Sequence, residues 1–167
     1  MGFLEAIEAW QFSVWVRESG SIWAFPTILF MHTLGMSIVA GGSTMVDLAL
    51  LGFLPGLAVK PLERFYPLLW TGFWINAITG TMLLVADAVT KLTNPDFYIK
   101  MGFVFAGTAV LWVMRTKVFG SPALEKGVIP GGARTLAWAS LVCWFGAITA
   151  GRLLAYVGPV AGLARGK

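Results

Sequence analysis

The residue type best able to do chemistry occurs once. His32 stands in the run SIWAFPTILFMHTLGMSIVAGGSTMVDLALLGF, Ser21 to Phe53. An imidazole carries protons near neutral pH and binds metals through either ring nitrogen. By helical steps of three and four, its neighbours are Phe25, Ile28, Leu29, Gly35, Met36 and Val39. Gly35, one turn on, is expected to leave space beside the ring. That pairing suits a b-type haem, because the flat macrocycle must approach the backbone and its iron takes a neutral ring nitrogen. His32 is then the metal ligand, with Met36 a turn away. A bis-histidine haem needs a second ring, and this chain has one histidine. Three arrangements remain: a five-coordinate haem, a thioether ligand from Met31, Met36 or Met82, or His32 repeated across a homo-oligomer axis. The competing reading is a packing histidine bonded to Asn76, Thr79 or a main-chain carbonyl.

Lys100 and Arg152 belong near one end of their helices and could meet haem propionates or a lipid phosphate. Snorkelling of both side chains is the plainer reading. Met31, Met36, Met45, Met82, Met101 and Met114 are soft ligands that would suit copper(I), but they form no short repeated motif and also read as flexible core filler. Cys143 is the single cysteine, so there is neither a disulfide framework nor a cysteine-based zinc site. No GxGxxG, P-loop, CxxC, HExxH or GxSxG motif is present, which leaves nucleotide binding and hydrolysis unsupported.

The elements that must hold these residues are apolar. The chain has 167 residues, 57% hydrophobic and 12% charged, with mean hydropathy +0.78. Soluble domains carry about 25% charge. The net charge of +4 does not indicate nucleic acid, because Lys and Arg are scattered between apolar runs instead of gathered on one stripe. Between Glu18 and Asp47 no side chain is formally charged. That exceeds the roughly 20 residues needed to cross a bilayer.

In chain order, residues 1–19 are expected to form an amphipathic helix, with Phe3, Leu4, Ile7, Trp10 and Val14 on one line. It lies in the membrane interface or simply extends the first span. Glu5 and Glu8 precede the first cation, Arg17, the reverse of a signal peptide, so the first span is expected to be retained. The spans are expected at 21–50, 64–90, 95–119 and 134–157, within one domain covering 1–167. Gly56 and Pro61 punctuate the first loop, Asp87 and Lys91 have the spacing of a helical ion pair, and Asn94-Pro95 has the form of an N-cap and first helical position. The uncharged centre of the third span, Met101 to Met114, covers only about 21 Å, so flanking residues must share the crossing. Trp residues near span ends read as interface anchors.

The pattern Trp23-x-x-Pro26, His32-x-x-Gly35, Gly41-Gly42 and Asp47-Leu48-x-Leu50-Leu51-Gly52, followed by Asn94-Pro95-x-Phe97-x-x-Lys100, resembles a family of small bacterial four-helix membrane proteins. That family is distantly similar to copper-resistance D-type and haem-b four-helix proteins. The resemblance covers about the first two thirds of the chain. It singles out His32, Asp47 and Lys100 as polar positions and implies haem or copper. Members often carry Arg after Asp-Leu, where this chain has Ala49.

The expectation is thus an all-α, integral membrane bundle of four transmembrane helices with an N-terminal interfacial helix. Its first expected role is a membrane-embedded b-type haem protein in electron transfer, homo-oligomeric, with a quinone or redox protein as partner. A non-catalytic subunit of a larger membrane complex is the second, and copper or small-solute passage the third. Setting aside the helix-borne Lys100 and Arg152, the cation balance puts the first and third loops in the cytoplasm of a bacterial cell and both termini outside its inner membrane.

Overall fold

The computed structural model describes residues 2–156. Every regular element among them is helical. Among the described residues four stretches are long and apolar enough to cross a membrane: Phe25–Leu51, Lys60–Ala86, Pro95–Phe119 and Ala133–Leu154. The expected spans lie within a few residues of these. The tail beyond residue 156, including Arg165 and Lys167, lies outside the described residues.

Local chemistry sets the boundaries. Helix α3 (Phe25–Leu51) has Pro26 in its first turn, where a missing N–H costs least, and stops at Gly52 with φ 88°. Few residues other than glycine accept that backbone. The second span opens as a 3₁₀ turn, Lys60–Phe65, and continues as α4 (Tyr66–Ala86). Helix α5 (Ala88–Leu92) follows a break at Asp87. Helix α6 (Pro95–Val113) begins where the Asn94 side chain accepts the Asp96 N–H, the cap its sequence announces. Its last turns, Met114–Phe119, loosen into a π-helix. The short α7 (Pro122–Glu125) leads to α8 (Ala133–Tyr156).

The long helices pack as α3 on α4 and α6 on α8, with α3 against α8 joining the pairs. A main core runs through Val39, Leu50, Tyr66, Leu69, Phe119 and Trp144. A smaller one holds Val16, Ile28, Leu83 and Ala86. Much of the apolar surface nevertheless points outward. Only 17% of the most apolar window of the third span is buried, and Phe105, Trp112, Val142 and Phe145 are exposed.

The N-terminus differs from the single helix expected over 1–19. It forms α1 (Phe3–Glu8) and α2 (Gln11–Glu18), separated by extended backbone at Trp10. Their contacts lie at the end of α4. Arg17 donates to the Ala86 carbonyl at 2.6 Å and to the Glu8 carbonyl at 3.0 Å. Ser13 Oγ approaches the Ile7 and Val85 carbonyls at 2.8 and 3.2 Å, and the Val89 N–H donates to the Glu8 carboxylate at 2.8 Å. The last carbonyls of a helix lack partners within it, and here side chains supply them. The side of α2 turned inward is Ser13 and Val16, while Phe3 and Trp10 are exposed.

The Asp87–Lys91 ion pair expected from spacing does not form. Lys91 turns back to donate to the Leu83 carbonyl, satisfying the same helix end. Burial holds its ammonium below the ordinary lysine range, with Lys100 adding to the effect and Asp87 and Glu8 opposing it.

Candidate functional site

His32 sits where α3 crosses α4. Its Nδ1 is 3.0 Å from the Asn76 main-chain oxygen and 3.2 Å from Thr79 Oγ1. A carbonyl only accepts, and the Thr79 hydroxyl already donates to the Ile75 carbonyl at 2.6 Å. The proton is therefore assigned to Nδ1, and Nε2 of the neutral ring keeps its lone pair. Asn76 closes the arrangement by donating its side-chain amide to the His32 carbonyl at 2.8 Å.

Glycines let the helices come this close. A Cβ on Gly35 would lie 2.7 Å from the Asn76 nitrogen and 2.8 Å from the Gly72 oxygen, and one on Gly72 would lie 2.7 Å from Ile38 Cγ2. The space expected beside Gly35 is therefore filled by α4 backbone, because close helix contact takes up the room a missing side chain leaves. The glycine that touches the ring is Gly80, whose Cβ would stand 2.9 Å from His32 Cε1.

Lys100 of α6 lies within electrostatic range of the imidazole. Its methylenes run past Gly151 of α8, where an added Cβ would be 3.6 Å from Lys100 Cε. Among the described residues its ammonium has no hydrogen bond or ion pair, the ion pairs present being Lys60 with Glu63 and with Glu125. His32 on α3 and Lys100 on α6 are thus related through their charges. Arg152 is exposed on the last turns of α8 and, among the described residues, forms no ion pair.

Met36 packs on the main core, Met82 on the smaller one, and Met114 is buried in the former. No three His, Cys, Asp or Glu side chains among the described residues converge as metal ligands. A single imidazole suits a metal that arrives within its own macrocycle better than a bare ion.

The sequence points to Asn76 and Thr79 as hydrogen-bond partners of the ring, whereas it does not mark Gly80 as a neighbour of it. The position of Gly80 four residues after Asn76, on the same face of α4, was the available signal. Comparisons with family models, with curated proteins and with solved structures find no match.

Proposed function

We propose that the chain is an integral membrane protein of the bacterial inner membrane that binds a b-type haem through His32 and serves in electron transfer. The observation that carries this reading is the ring's commitment: Nδ1–H is held by a main-chain carbonyl, and Nε2 is left with its lone pair. Metal-bound histidines characteristically donate their other ring N–H in this way, which fixes the tautomer and the ring plane. The Lys100 ammonium, which has no ion-pair partner among the described residues, supplies a positive group within range of the same ring, suited to a propionate.

Bound there, the haem would supply one-electron redox chemistry. The residues of the chain hold and tune it. Asn76 orients the ring, Thr79 reinforces the Nδ1 proton, Gly80 seats the ring edge, and Lys100 offsets negative charge. A second copy of the chain would bring a second His32 to hold the same group, and the functional unit would then be a homo-oligomer. A quinone or a redox protein is the electron partner.

Membrane insertion is supported by the large apolar side chains that α6 and α8 turn outward, Phe105, Trp112, Val142 and Phe145 among them. The first and third loops then face the cytoplasm and the N-terminal helices lie at the opposite surface, with Trp10 and Trp15 at headgroup depth. The test is purification of the full chain from haem-replete cells, followed by haem quantification and particle mass. Haem b in a fixed ratio to an oligomer supports the reading, and haem-free protein overturns it.

A further inference from the structure

Fifteen residues beyond His32, about 22 Å along α3 at the helical rise, a second polar group is sealed inside the bundle. Asp47 and Ser43 of α3, Tyr66 of α4, and Ser140 and Trp144 of α8 are all essentially inaccessible. Among the described residues, Ser43 Oγ, both Asp47 carboxyl oxygens, the Tyr66 hydroxyl, Ser140 Oγ and Trp144 Nε1 have no hydrogen-bond partner. Other hydroxyls in these helices behave differently. Thr33, Ser37, Thr71 and Thr81 each donate to the carbonyl four residues back. Ser43 and Ser140 forgo that bond although both lie within α-helix.

These groups converge from three helices. The Ser140 hydroxyl is close enough to the Asp47 carboxyl to favour its charged form, although the two do not meet in hydrogen-bond geometry, and Tyr66 lies within electrostatic reach of the same carboxyl. Ser43 is one turn before Asp47, and Trp144 one turn after Ser140, so each pair shares a helix face. Arg115, one of several cations at this end, lies over the Tyr66 ring at 5.9 Å, and among the described residues no cation forms an ion pair with Asp47.

A buried carboxylate without a counter-charge is costly, and the cost is met either by a proton or by one bound positive charge. The oxygens available are one carboxylate and three hydroxyls. They are hard donors, suited to an alkali cation more than to a transition metal, and with one carboxylate too few for a dedicated calcium site. The Trp144 N–H, a donor only, suits a carboxylate oxygen left outside the coordination.

We propose that Asp47, with the hydroxyls of Ser43, Tyr66 and Ser140, forms an internal site for one monovalent cation of the sodium type. Such an ion ties α3, α4 and α8 together at the end of the bundle opposite His32. The site is independent of haem binding.

The experiment is thermal unfolding of the full chain in neutral detergent, at constant ionic strength, in sodium, potassium or choline chloride. Sodium is expected to raise the midpoint saturably over choline. Asp47→Asn is expected to abolish that response, and Ser140→Ala to raise the half-saturating sodium concentration about tenfold. Equal wild-type midpoints in sodium and choline would overturn the site and leave a proton as the neutralising charge. A sodium response that survives in Asp47→Asn would also overturn it. Should Asp47→Asn fail to fold, Ser140→Ala and Ser43→Ala decide, and unchanged half-saturation in both overturns the proposal.

Discussion

His32 Nδ1 stands 3.0 Å from the Asn76 main-chain oxygen, and the Asn76 amide donates back to the His32 carbonyl at 2.8 Å. One residue therefore fixes both the tautomer of the ring and the register of α3 against α4. The arrangement depends on backbone proximity, which Gly35 and Gly72 permit.

Gly35→Ala tests that dependence. Its Cβ would meet main-chain atoms of α4, which cannot swing aside as a side-chain end could. The substitution is expected to cost about 1–3 kcal/mol through overpacking, seen as a lower unfolding midpoint, and to reduce bound haem by drawing Asn76 away from the ring. Gly41→Ala, which has open space around it, is the control and is expected to change neither. Equal behaviour of the two variants would contradict the close crossing.

Arg17 is expected to hold the N-terminal helices down. Arg17→Ala removes donors to Ala86 and Glu8 and leaves the α4 terminus short of a partner. A loss of roughly 1–3 kcal/mol follows from an unmet carbonyl. Amide hydrogen exchange should rise across residues 3–18 while the haem spectrum stays as in wild type. Unchanged exchange there would show that the helices are held by other means.

These two cases mark what the sequence could reveal. The charge-free run before Asp47 and the punctuation by Pro26, Gly52 and Asn94 expose the spans and their ends to a one-dimensional reading. The break at Trp10 does not show, because it arises where Arg17 and Ser13 meet α4 carbonyls some seventy residues away. Asp87 and Lys91 have the right spacing for a pair, but the backbone at Asp87 leaves the helix at φ −143°, and the α4 carbonyls claim the ammonium. Helical spacing placed Gly35 beside His32. Only the partner helix determines that the space there is filled. The Asp47 group is hidden for the same reason, being assembled from α3, α4 and α8.

Lys100 gives a separable prediction. Lys100→Met keeps the packing against Gly151 and removes the charge, so haem affinity is expected to fall about tenfold for one lost charge-assisted contact. The Soret position should not move, since the iron ligand is untouched. Arg152→Gln, at an exposed position, is expected to leave affinity unchanged. A larger loss in Arg152→Gln than in Lys100→Met would reverse the assignment.

The most direct measurement is the reduced-minus-oxidised absorption spectrum of purified wild type, His32→Gly, and His32→Gly supplied with free imidazole. Ligation through Nε2 predicts a b-type difference spectrum in wild type, its loss in the variant, and its return with imidazole. A wild-type preparation without a Soret band, or a spectrum that His32→Gly leaves unaltered, would contradict it.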